Sequence, residues 1–374
     1  MSMQDRYETF TGEGLKTGAE NVLHLLGGSA LGRGVIDTYA FGLGGRIEDP
    51  LLRISVAGID FENPVLVGAG WDKKGRAIHG LHALGFAGVE VGTVLPFFQA
   101  GNPQPRLWTI DDKHSVGLNR LGFNSPGMEA VYGNLSAAGT LPCPIGINVG
   151  RNKIMPNDLA NWAHTQVIGK LAEFASYVTL GISSPNTPDL RGLQDKGPFR
   201  DLLQGAQAAI AHTGRQIPLF AKIDSERTEV ELDDMIEVAL EEGLAGFVAT
   251  NTYSGGGLKS KYGTRWGNEM GGLSGADPEY RARATATVKR IYERAGDKLA
   301  IVGVGGVDSA AAAREKLAAG ASAVQVVTAI RPSRGRVAAK INFGLLRSLQ
   351  ADGVHGVRDI VGSATKRGVL PRVA

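Results

Sequence analysis

The stretch GISSPNTPDLRGLQ, Gly181 to Gln194, sets two serines, an asparagine and a threonine directly after the apolar run YVTL. A serine such as Ser184 is a weak base at its ordinary pKa. It can take a proton only in a closed, dry loop that offers an acceptor for its own. The same residue type also serves as a helix N-cap or turn former. Two lysines resist so local a reading. Lys73 follows PVLVGAG, and Lys222 lies inside LFAKID. A lysine buried in a strand needs a compensating acceptor or anion. Other apolar runs contain or end in Thr93, Asn148, Asn186, Thr250, Asn251 and Thr328. One asparagine alone is a turn residue, because its side chain bonds nearby backbone. The pair Gly305-Gly306 either makes a plain tight turn or lets backbone N–H groups approach phosphate oxygens. Together with Lys222 and the asparagines, it points to a phosphate-bearing cofactor.

Those residues need elements that bring them together. From Asn63 onward, eight short Val-, Ile- and Leu-rich runs alternate with longer segments of helical period. The runs cover 64–70, 88–93, 144–150, 177–183, 219–224, 246–252, 300–306 and 323–329. They lack strict alternation, as strands buried on both faces do. Segments such as DDMIEVALEEG and SAAAAREKLAAG close on glycine, a helix C-terminal signal. Eight such units predict an α/β fold, a (β/α)8 TIM barrel, with its chemistry at the C-terminal strand ends. A doubly wound sheet is the competing arrangement. Against it, Asp308 stands where a fingerprint beginning Gly303-x-Gly305 needs glycine. Residues 1–49 are expected to form a short helical extension. Residues 50–374 make the barrel and a tail, with a small hairpin near LLRISVAGIDFEN.

Composition narrows the function classes. A net charge of +3 over 374 residues is too small for a nucleic-acid footprint. The single cysteine, Cys143, excludes an intramolecular disulfide and a Cys-ligated cluster within the chain. The seven histidines show no metal-ligand spacing. The N-terminus lacks a signal pattern and no apolar run reaches membrane-spanning length. A reducing, cytoplasmic setting is expected.

The segments NPVLVGAGWDKKG, VGTVLPFFQAGNPQPRL, LNRLGFNSPG, GINVGRNK, SSPNTPDLRGLQ, ATNT, GGLSG, VGVGGVDSAAAAREKLAAGAS and VQVVTA occur in the order seen in class 2 dihydroorotate dehydrogenases. The chain resembles that family over about residues 50–350. The resemblance implies a barrel holding FMN, oxidation of dihydroorotate in pyrimidine biosynthesis, and a quinone as electron acceptor. It implies Ser184 as general base and Lys73, Asn119, Phe123, Asn186 and Asn251 as substrate contacts. It implies Ala69, Gly70, Thr93, Asn148, Lys222, Thr250, Ser274, Gly275, Gly305, Gly306 and Thr328 as flavin contacts. Flavin N5 would take a hydride while Ser184 removes a proton from the neighbouring carbon. Cys143 precedes the third strand and cannot occupy the base position. In class 2 relatives the N-terminal helices form a quinone entrance and touch the membrane. For residues 1–49, with Leu15, Val22, Leu23, Leu25 and Leu26 as an apolar face, weak peripheral contact with the inner face of the cell membrane is expected at most.

Four departures from the family pattern shape the expectations. Gly181 stands where the family has a substrate-binding asparagine. It is expected to lose a hydrogen bond of roughly 0.5–1.5 kcal/mol and to open space beside the flavin. Asp189 replaces a loop glycine and should stiffen the loop. Thr109 and Val327 occupy the places of an arginine and a tyrosine of the quinone tunnel, while Arg106 remains. AKIDSERTE replaces a KIAPDL-type continuation. A second reading is therefore a flavin-dependent dehydrogenase or ene-reductase acting on a larger or less polar cyclic amide. A third is a non-catalytic flavin-binding protein, against which the retained polar set counts.

Overall fold

Two left-handed residues, Ala57 (φ 49°) and Gly58 (φ 81°), join β1 (Ile54–Val56) to β2 (Ile59–Phe61) in the expected antiparallel hairpin. Such turns match the natural twist of paired strands. The hairpin's Val56 and Phe61 pack on Leu66, Phe220, Val248 and Val302 and so plug one end of the barrel to which those residues belong. The computed structural model describes residues 45–111, 115–187 and 189–365, with Val22, Gly32, Val35 and Thr38. The expected helical extension and its apolar face fall almost wholly outside these residues.

Each of the eight apolar runs forms a strand. They are β3 (Val65–Val67), β4 (Val89–Val94), β7 (Ile145–Val149), β8 (Tyr177–Gly181), β9 (Leu219–Ile223), β10 (Gly246–Ala249), β12 (Ala300–Val304) and β13 (Ala323–Val326). All pair in parallel with their neighbours, and β13 pairs with β3 to close a barrel. The interior and the helix-facing side are both apolar, which is why these strands do not alternate. Ten helices among the described residues accompany the barrel: α1 (Ile78–Ala83), α2 (Met128–Ala138), α3 (Ala160–Leu171), α4 (Lys196–His212), α5 (Glu229–Glu241), α6 (Gly256–Ser260), α7 (Thr264–Asn268), α8 (Pro278–Ala295), α9 (Ala310–Ala318) and α10 (Val337–Asp352). Local chemistry sets several starts. Thr228 and Glu231 cap α5 reciprocally, and Asp277 caps α8 with Pro278 at its first position.

A second sheet was not expected. Strands β5 (Leu107–Asp111), β6 (Val116–Asn119) and β11 (Gly272–Ser274) form an antiparallel sheet in the order β11-β6-β5. Two excursions supply it, one after β4 and one after β10. Trp108, Leu118 and Trp266 form its small core, with the two indole rings edge to face at 5.8 Å. The sheet stands at the mouth of the barrel and carries Asn119 and Ser274 there.

One buried cation lies away from the mouth. Lys316 on α9 is fully buried, and its Nζ donates to Thr285 Oγ1 at 3.1 Å. Burial pushes its ammonium down to about 7. The folded state therefore binds fewer protons than the unfolded chain between that value and the ordinary lysine range. Stability should rise with pH across this window and carry the full penalty below it. We expect Lys316→Met to stabilise the fold at pH 7 by on the order of 1 kcal/mol or more and to flatten the pH dependence. Urea unfolding of both proteins at pH 7 and 9 checks this.

Candidate active site

The C-terminal ends of the barrel strands and the second sheet enclose one cleft, and every residue assigned to the site from the sequence lines it. Ala69 and Gly70 follow β3, Thr93 is in β4, Asn148 in β7 and Lys222 in β9. Thr250 follows β10, Gly305 and Gly306 follow β12, and Thr328 follows β13. The second sheet adds Asn119 and Ser274, with Phe123 and Gly275 close after them. Lys73, Ser184, Asn186 and Asn251 come from loops.

The polar groups are held in pairs. Lys73 Nζ donates to Asn124 Oδ1 at 2.6 Å, and Asn251 Nδ2 donates to Ser183 Oγ at 3.0 Å. Thr93 Oγ1 donates to Asn148 Oδ1 at 2.7 Å, and Thr328 Oγ1 to Ser274 Oγ at 3.0 Å. The backbone N–H of Asn186 donates to Ser184 Oγ at 3.2 Å, so this serine does form a turn. It also faces the cleft while only 5% exposed, which meets the dryness that a serine base requires. Phe123 holds a left-handed backbone (φ 51°), unusual for an aromatic residue, and its ring reaches the cleft.

Lys222 is the exception to this pairing. It is 7% exposed, lines the cleft and makes no hydrogen bond among the described residues. Burial pushes its pKa down, and the Glu90 carboxylate pulls it back up. A buried ammonium without a partner marks a place for an anionic or acceptor-rich ligand. The glycines agree. Gly305 and Gly306 have φ of 97° and 75°, and a Cβ at Gly70 would meet nothing within 4 Å, so that backbone opens on the cleft. A Cβ on Gly275 would lie 1.9 Å from the carbonyl oxygen of Ser115. This donor set and the close-packed glycines fit FMN: a cation for the ring and bare backbone for the phosphate.

One expectation needs correction, and the other departures take definite places. Gly181 opens no space. A Cβ there would meet Asn148 Oδ1 at 2.6 Å and the carbonyl oxygen of Val149 at 2.9 Å, because the Asn148 amide fills that position. Arg106 does not reach the cleft. Its Nη1 donates to the carbonyls of Ala100 and Asn102 at 2.6 and 2.9 Å and ties their loop. Thr109 and Val327 do line the cleft, with Arg331 nearby on the same wall. Asp189 keeps a left-handed backbone (φ 56°), the conformation a glycine would adopt freely.

The altered segment after β9 has a structural use that the sequence did not disclose. Glu226 accepts from Arg191 Nη2 at 2.6 Å and from the Ser254 hydroxyl at 2.8 and 2.9 Å. Gln194 Nε2 donates to Asp224 at 2.9 Å, and Arg227 to the carbonyl of Arg191. The loops carrying Ser184 and Asn251 are thereby fastened to each other through the β9 loop. Sequence reasoning also missed Asn124, Tyr280, Gln325 and Glu90. For Glu90 a signal existed: a lone carboxylate inside the apolar run GVEVGT. Cys143 lies before β7, away from the strand ends that form the cleft, where burial pushes its thiol up to about 12.

Residues 51–349 match the family model described as Dihydroorotate dehydrogenase. The chain is 41% identical over 323 residues to a dihydroorotate dehydrogenase (quinone) of Anaeromyxobacter dehalogenans (strain 2CP-1), covering 85% of this chain and 87% of that one. It is 38% identical over 328 residues to the protein of that name from Mycobacterium sp. (strain KMS), covering 87% and 89%. It is also similar to a crystal structure of DHODH in complex with ferulenol from Eimeria tenella, with TM-score 0.79, 31% identity and coverage of 89% and 95%. With this barrel and these matches along most of its length, the chain belongs to the dihydroorotate dehydrogenase family, on its class 2 branch of FMN-dependent oxidoreductases.

Proposed function

We propose that the chain oxidises dihydroorotate to orotate, with Ser184 as the general base. The observation that carries this reading is the convergence of Ser184, Lys73, Asn119, Asn186 and Asn251 on one cleft that also contains Lys222, a buried ammonium without a hydrogen bond among the described residues. Bound FMN supplies the two-electron acceptor for the hydride that leaves one substrate carbon. The chain's own groups do the rest. The Lys73 ammonium suits the substrate carboxylate, and the three asparagine amides suit the donor and acceptor edges of a planar cyclic amide. Ser184 takes the proton from the neighbouring carbon as the double bond forms and gives up its own hydroxyl proton to solvent water, while the Asn186 N–H steadies charge on its oxygen. Lys222 puts positive charge where the oxidation delivers negative charge. The larger-substrate reading depended on space at Gly181, which the Asn148 amide occupies.

Anaerobic titration of the flavin-loaded protein tests the substrate. Dihydroorotate at micromolar levels should bleach the flavin. A flavin that stays oxidised with dihydroorotate, yet is reduced by another cyclic amide, would overturn the reading.

A quinone as acceptor is supported by the names of the relatives and by an apolar wall of Leu107, Val116, Val327 and Pro332 on the cleft. Weak peripheral membrane contact through residues 1–49 belongs to the same reading; no helix of the described residues is long and apolar enough to cross a membrane. In liposome flotation, the full chain should partition more than residues 45–374. Equal partitioning would remove the membrane contact.

A further inference from the structure

Glu90 sits in β4, completely buried inside the barrel. Interior layers of such barrels are filled by branched apolar side chains, so a carboxylate here needs a reason. Four donors from three other strands converge on it. Asn148 Nδ2 reaches Oε1 at 2.9 Å. Gln325 Nε2 at 2.7 Å, Tyr177 OH at 3.3 Å and Thr179 Oγ1 at 3.3 Å reach Oε2. Burial holds the Tyr177 phenol well above its ordinary range, so it stays a neutral donor. The Glu90 charge is also the one that acts on the Lys222 ammonium. The charge on this carboxylate is thus felt at the cation of the cleft. It also fixes which end of the Asn148 amide points inward, leaving the amide oxygen to Thr93.

We infer that Glu90 is a positioning residue of the flavin site: it anchors Asn148, balances Lys222, and by its negative charge sets how readily the bound flavin accepts electrons. The inference rests on the FMN reading above. Removing a negative charge beside a site that gains negative charge on reduction favours the reduced form. The substitution Glu90→Gln keeps the shape. It turns one acceptor into a donor, and Gln325 can answer by rotating its amide, because its Oε1 is buried without a partner.

The test is the midpoint potential of the flavin-loaded protein, measured against reference dyes. Glu90→Gln should shift the oxidised-to-reduced equilibrium at least tenfold toward reduced, about 30 mV more positive for a two-electron couple. Should that variant not fold, Glu90→Gln/Lys222→Met removes both buried charges together and is compared with Lys222→Met alone. The double variant should again be the more positive. Flavin retained with unchanged potentials overturns the inference and leaves the FMN reading intact. A wild-type protein that binds no FMN overturns that reading instead.

Discussion

Ser184→Ala should slow reduction of the flavin by dihydroorotate by about 10²–10⁴-fold, the usual contribution of a positioned acid or base. Flavin content and visible spectrum should not change. Stopped-flow absorbance under anaerobic conditions, at saturating dihydroorotate, reads the step directly. The size of the effect follows from the surroundings. The hydroxyl is buried, faces the cleft, and takes one hydrogen bond from the Asn186 N–H. Its methyl replacement leaves that N–H without its acceptor, so a modest loosening of the turn is expected as well. A pure turn serine would show only that loosening, within about threefold of wild type, with the loss spread over binding and rate. A rate that survives the substitution would therefore remove Ser184 as base and return it to a structural role.

Gly181→Asn should damage the protein, although it installs the residue usual for the family at this position. The new Cβ would press on the Val149 carbonyl, part of a paired barrel strand, and on the Asn148 amide. The backbone cannot yield without breaking the β7–β8 ladder, so Asn148 must move. Asn148 is bolted at both ends, by Thr93 and by Glu90. Overpacking of this kind costs roughly 1–3 kcal/mol, and here the strain falls on the site. A drop in unfolding free energy of that size, with FMN affinity at least tenfold weaker, is the expected outcome. Fluorescence titration of apoprotein with FMN measures the second part. An unaltered or tighter FMN complex would mean that Asn148 rotates away at little cost and that the position is open after all.

The barrel was legible because each strand is buried on both faces and bounded by glycine, a pattern that survives in a single sequence. So was much of the cleft lining, since the barrel strand ends and the loops after them carry most of the polar residues singled out, Asn119 and Ser274 excepted. The second sheet was not legible. Its strands have three to five residues, β11 reads only GLS, and its partner β6 is more than 150 positions away. Nothing in a short polar stretch announces such a pairing. Gly181 misled for a related reason. An absent side chain looks like free volume in a sequence, whereas the three-dimensional neighbour Asn148 had already filled it. The use of the retained Arg106, tied to the carbonyls of its own loop, was not legible either. Glu226 drew no notice because a carboxylate in a charged loop is ordinary until its partners are seen.

Glu226 has a consequence for the order of events in turnover. It grips Arg191 from one loop and Ser254 from another, so it couples the movements of the two loops. An opening of the cleft that parted these two loops would have to break the Glu226 contacts first. The dwell time of orotate is then written partly in an ion pair that never touches it, and high salt would be felt as faster leaving rather than as weaker chemistry.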